Sequence, residues 1–190
     1  MNPTLMFFLA VGLLLVLGFA LLRKHTFNKI LEAIGEKKFE KAESIINSWA
    51  GNLSLSKMNQ KSLLLSCKMG MNDSQGMMDL IDTIGHLTAD QQELLLQRAF
   101  AWSIEQQDPK QAKAIMTRSK KKEDMELQIR VLLDHDTSLI EPITQEVNRL
   151  SDCPRKGVLA YLVAVQYQNK GQEKQADSWF DLSRKLLLTK

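Results

Sequence analysis

From Leu5 to Leu22 the chain reads LMFFLAVGLLLVLGFALL, an uncharged and almost wholly apolar run, and charge begins only at Arg23 and Lys24. As a helix rising about 1.5 Å per residue the run extends ~27 Å, close to the hydrocarbon thickness of a bilayer. The pattern therefore predicts a transmembrane anchor over residues 1–24. Beyond it the period changes. Phe39, Ala42, Ile45, Ile46 and Trp49 recur at three- and four-residue steps, which places them on one face of a helix. Residues 94–104, with Ala99, Phe100 and Trp102, are too apolar for an exposed helix and are expected between neighbours. Residues 158–165 pass for a buried strand by periodicity alone, but they run on into Tyr167 and Gln168 without a turn signal, and length decides for helix. No hairpin signal offers a partner strand, so the fold class is all-α.

Short polar breaks separate the helices, at residues 35–38, 50–53, 70–75, 85–90, 106–110, 119–123, 134–137, 151–156 and 170–172. Thr88 with Gln91, and Ser138 with Glu141, have the spacing of a capping box, in which a hydroxyl and a side chain three residues on satisfy free amides. Asp108 before Pro109 fits a helix start with proline in the first turn. The breaks predict about ten helices in five hairpins, filling residues 25–190.

The small or apolar residues opening the second helix of each hairpin are Ala42, Gly76, Ala112, Ile143 and Ala176, separated by 34, 36, 31 and 33 positions. A period near 34 is the length of a tetratricopeptide repeat. Gly35, Phe39 and Ala42 at one end, and Tyr167, Gly171, Ala176 and Phe180 at the other, resemble that family's turn, small and aromatic positions. Ala99, Asp108, Pro109 and Ala112 fit a further copy, whereas the second and fourth hairpins carry Gly76 and Ile143 in place of the turn alanine. The chain thus resembles a membrane-anchored member of the tetratricopeptide-repeat family, which implies an α-solenoid whose hairpins stack to share one core. Trp49, Trp102 and Trp179 are then expected to pack.

Charge sets the direction of the anchor. Arg23, Lys24, Lys29, Lys37, Lys38 and Lys41 follow the apolar run, while nothing charged except the α-amino group precedes it. The positive-inside bias predicts an outward N-terminus and a cytoplasmic repeat domain. A cleaved signal calls for a basic leader and small residues at a cleavage site, and neither is clear. The net charge of +3 is small, so no global field points to nucleic acid.

Chemistry-bearing patterns are sparse. His25, His86 and His135 have no metal-site spacing, Cys67 and Cys153 form no CxxC, and no P-loop or GxSxG motif occurs. The sequence therefore predicts neither an enzyme nor a cofactor, with both cysteines expected as buried thiols. Arg118, Lys120, Lys121 and Lys122 form the densest basic run, but Glu123, Asp124 and Glu126 follow at once, as in a solvated turn.

What remains is binding. In tetratricopeptide arrays the first helix of each hairpin lines a concave groove that takes an extended peptide or a partner helix. The resemblance maps this groove to Lys61, Leu65 and Lys68, to Gln97 and Ala101, to Gln128 and Leu132, and to Tyr161, Val165 and Gln168. It implies a membrane-tethered adaptor with a protein partner. The competing reading reverses the topology and makes the chain an extracytoplasmic chaperone or assembly factor.

Overall fold

The computed structural model describes residues 3–188, with side chains from residue 11 onward. Every regular element among them is a helix: α1 (Pro3–Gly35), α2 (Phe39–Asn47), α3 (Trp49–Ser54), α4 (Lys57–Gly70), α5 (Ser74–Asp82), α6 (Ala89–Glu105), α7 (Pro109–Met116), α8 (Lys122–Leu132), α9 (Ile140–Arg149), α10 (Pro154–Asn169) and α11 (Glu173–Leu188). Residues 158–165 are helical within α10, as their length demanded. Met1 and Asn2, where the expected anchor starts, and the last two residues of the expected repeat domain lie outside the described residues. The chain divides into two compact units, Met1–Ala99 and Phe100–Lys190.

The hairpins are made by one turn used repeatedly. Lys37, Asn72, Gln107 and Gly171 all take the left-handed conformation, with φ of 58°, 54°, 55° and 70°. In each case the next amide reaches back to the carbonyl five residues earlier: Lys38 to Ala33 at 2.8 Å, Asp73 to Lys68 at 2.9 Å, Asp108 to Ser103 at 3.0 Å and Gln172 to Tyr167 at 2.9 Å. This is the Schellman closure of a helix C-terminus. The same residue then begins the next helix. Asp73 and Asp108 serve both roles, their carboxylates accepting from the amides of Gly76 (2.8 Å) and Gln111 (3.0 Å). The fourth turn departs from the scheme: His135 is left-handed (φ 52°), but Asp136 bonds back to Arg130 at 2.8 Å and the connection to α9 is longer.

Four residues after each of these helix starts the chain is buried. Ala42, Met77, Ala112 and Ala176 are all within 2% of complete burial, and Ile143 holds the same position in α9. The small or apolar residue in the second hairpin is thus Met77, one position past the Gly76 expected from spacing. Gly76 instead gives up its amide to Asp73.

In the first unit the core gathers Ile30 and Ala33 of α1, Ala42 and Ile46 of α2, and Leu55, Leu64 and Cys67 around α4. In the second, Val131, Ile143, Val147, Leu159, Leu162 and Val163 form the cluster, with Trp179 packed against it. Gln166 is fully buried among them, and its side chain is satisfied by the amide of Leu139 (3.1 Å) and the carbonyl of Leu162 (3.2 Å).

The helix that carries the apolar run continues unbroken past residue 24 to Gly35, and its last third joins the core. Several expectations are corrected. The break expected at residues 50–53 is α3, an extra helix that raises the count among the described residues to eleven. Trp49 at its start is 69% exposed, while Trp102 is buried. Cys67 is buried but Cys153 is only half-buried. The Thr88–Gln91 box forms in both directions, at 3.2 and 3.3 Å. The Ser138–Glu141 box does not, because Ser138 turns both its amide and its hydroxyl to Asp136 at 2.8 and 2.7 Å.

Candidate functional site

The residues expected to line a groove divide into groups with different fates. Leu65 is 1% exposed, a core residue with no surface to offer a ligand. Lys68 is tied to Glu43 of α2 at 3.0 Å and to Asp73 at 3.2 Å. Burial pulls its ammonium pKa down, but the hydrogen bonds it donates to the Glu43 and Asp73 carboxylates outweigh this and raise it. Asp73 is lowered in turn, first by the Gly76 amide and then by Lys68. This lysine clamps the turn to the neighbouring helix. Lys61 donates to the Thr83 hydroxyl at 2.7 Å, and burial, with Lys57 nearby, depresses its pKa.

Gln97 and Gln128 bond within their own helices, to Glu93 at 3.2 Å and to the carbonyl of Asp124 at 3.3 Å. Leu132 and Val165 pack against the core of the second unit. Tyr161 is 42% exposed and rests its ring against Phe180, 5.7 Å between centroids. Ala101 and Gln168 are exposed. Lys61, Leu65, Lys68 and Gln97 fall in the first unit, and Ala101, Gln128, Leu132, Tyr161, Val165 and Gln168 in the second. Of the expected positions, Tyr161 and Gln168 of α10 are exposed together, with Val158 exposed on the same helix.

A built cavity lies elsewhere, beside the end of the apolar run. It holds about 360 Å3 and is lined by Ala20, Arg23, Lys24 and Phe27 of α1, with Ser54, Leu55 and Asn59 opposite. The four α1 residues follow the i, i+3, i+4, i+7 spacing of a single helix face. The opposite wall is set by α3. Ser48 starts that helix by accepting from the amide of Gly51 at 3.2 Å while donating to the carbonyl of Ile45 at 2.7 Å. Gly51 is required there, since a Cβ would run into the carbonyl oxygens of Ile45 and Ile46. Gln60 of α4, nearly buried, ties the piece down through Asn52 at 2.8 Å.

The electrostatics of the cavity are unbalanced. Neither Arg23 nor Lys24 has an acidic partner among the described residues. Ser54 is 3% exposed and its hydroxyl has no hydrogen-bond partner. A buried polar group left unmatched costs roughly 1–3 kcal/mol. The arrangement offers two cations and an apolar wall, with the buried Ser54 hydroxyl behind it. Sequence reading assigned Arg23 and Lys24 to topology alone, and no pattern marked Ser54.

A second cavity, lined by residues 119–124 and Arg155, brings Lys120, Lys121 and Lys122 together with Glu123 and Asp124. Arg155 pairs with Asp124 at 3.3 Å and Glu146 at 3.0 Å, so acids answer bases within it. No group of three or more His, Cys, Asp or Glu side chains among the described residues is placed to hold a metal ion. No family model, no curated protein and no solved structure matches the chain.

Proposed function

We propose that the chain is a membrane-tethered helical-repeat scaffold that holds a protein partner, as a peptide or a helix, close to the membrane surface. The observation that carries this reading is the continuity of α1. Its described part is long and apolar enough to cross a bilayer, and from Thr26 onward the same helix buries Thr26, Ile30 and Ala33. An anchor that enters the first hairpin without a linker makes the span and the first core helix one continuous element, and so mounts the unit directly on the membrane.

The recurrent turn supports the tetratricopeptide reading, since the same closure returns at Lys37, Asn72 and Gln107 with 35 positions between each. Arg23 and Lys24 directly after the apolar run support placement of the repeats on the cytoplasmic side. The partner surface is assigned to the exposed face of α10, with Tyr161 as its anchor, because an amphipathic ring braced by Phe180 offers contact area at low entropic cost. Capture by a photo-crosslinking residue at Gln168, compared with one at Lys174 of α11, tests the assignment. A partner crosslinked from Gln168, and lost on Tyr161→Ala in a folded chain, is expected. Equal crosslinking from both positions contradicts it.

A further inference from the structure

We propose that the cavity between α1 and the α3–α4 connection binds the headgroup of an anionic phospholipid, with Arg23 and Lys24 facing the phosphodiester and Ser54, Leu55 and Asn59 forming the wall opposite. The assignment rests on α1 crossing a membrane.

Position argues for a lipid first. Ala20 belongs to the apolar run and Arg23 and Lys24 end it, so the cavity straddles the level at which a bilayer changes from hydrocarbon to phosphate. Chemistry agrees with position. Two cations without acidic partners among the described residues suit a phosphodiester, which only accepts hydrogen bonds. Ala20, on the hydrocarbon side of Arg23 and Lys24, supplies the apolar wall that the glycerol and upper acyl carbons require and a free phosphate does not, while Phe27 and Leu55 line the rest of the cavity.

A third feature is independent of the cavity itself. Trp49 and Leu53, one helical turn apart on α3, are both exposed, on the helix that delivers Ser54. Exposed tryptophan beside a membrane span belongs at the headgroup level, where its ring is half apolar and half polar. A purely topological role for Arg23 and Lys24 does not account for Trp49.

The test uses the full chain in an uncharged detergent, titrated calorimetrically with dihexanoyl-phosphatidylglycerol, dihexanoyl-phosphatidylcholine and inorganic phosphate. The anionic lipid is expected to bind with unit stoichiometry and more tightly than the zwitterionic one. Lys24→Gln should weaken it about fivefold, the worth of one cation near the surface. Asn59→Trp, which fills the cavity from its open side and leaves every charge in place, should weaken it at least as much.

Equal binding of both lipids, or indifference to Asn59→Trp, overturns the site. Inorganic phosphate binding as tightly as the anionic lipid overturns the lipid assignment in favour of a free anion. Flotation with phosphatidylcholine vesicles separates the two claims. A chain that floats but shows no anionic preference loses only the site, and one that fails to float loses the tether and with it the lipid's route to the cavity.

Discussion

Lys37 and Asn72 adopt the same left-handed backbone, φ 58° and 54°, 35 positions apart, and each is followed by an amide that closes on the carbonyl five residues back. A lysine at such a position carries steric strain that glycine would not. Lys37→Gly and Gln107→Gly are therefore expected to stabilise the chain by about 0.5–1 kcal/mol each, and Gly171→Val to destabilise it by at least as much. Urea midpoints of the three variants check the turn geometry.

The continuity of α1 makes Ile30 a core residue of the first unit, fully buried beside Ala33, Ala42 and Ile46. Ile30→Ala should cost about 2–4 kcal/mol. Leu14→Ala, at an exposed position of the apolar run, should leave the stability of the repeat region unchanged. Thermal unfolding followed by near-ultraviolet circular dichroism distinguishes the two.

The cysteines should differ sharply in reactivity. Burial, helped by the charge of Glu43, pushes the Cys67 thiol up to about 11, whereas Cys153 is half-buried at the start of α10. Since the thiolate is the reactive form, iodoacetamide at pH 8 should modify Cys153 first and reach Cys67 only after denaturation. Mass mapping of the alkylated peptides reads the order.

Asp136 gives the connection before α9 a defined pH dependence. The Ser138 hydroxyl and amide, then Arg130, hold its pKa at about 2, below the ordinary 3.8. A carboxylate depressed on folding contributes stability that is complete above its unfolded pKa and is lost as pH falls through the folded one. Asp136→Asn should therefore be less stable than the parent chain at pH 6, and the difference should vanish as pH is lowered from about 4 to 2. Urea titrations at stepped pH measure it.

Much of the helical plan was legible because the turns carry their own chemistry: Asn72, Asp73, Asp108, Pro109 and Gly171 are residues that a left-handed closure or a helix start selects. The helix α3 was not legible. Gly51 and Asn52 read as a break, and only the close approach of Gly51 to the carbonyls of Ile45 and Ile46 shows why a glycine belongs inside that helix. Ser138 misled because two donors on one residue were taken by a nearer carboxylate, Asp136.

The groove residues show the limit of positions carried over from a resemblance. Leu65 and Lys68 both lie on α4, but which way each side chain points is decided by packing, not by spacing: Leu65 faces the core and Lys68 the Glu43 carboxylate. The cavity depends on contacts between α1 and residues some thirty positions further on, and Ser54 has no local pattern that reveals an unmatched hydroxyl.

The central claim, an anchor that holds the repeats on the basic side of a membrane, is tested most directly by labelling Gln168→Cys in a Cys153→Ala background. Intact cells and opened membranes are treated with a membrane-impermeant maleimide, Cys67 being buried. The account predicts labelling only after the membrane is opened, with the protein kept in the membrane pellet through alkaline carbonate. Labelling in intact cells, or release of the chain by carbonate, contradicts it.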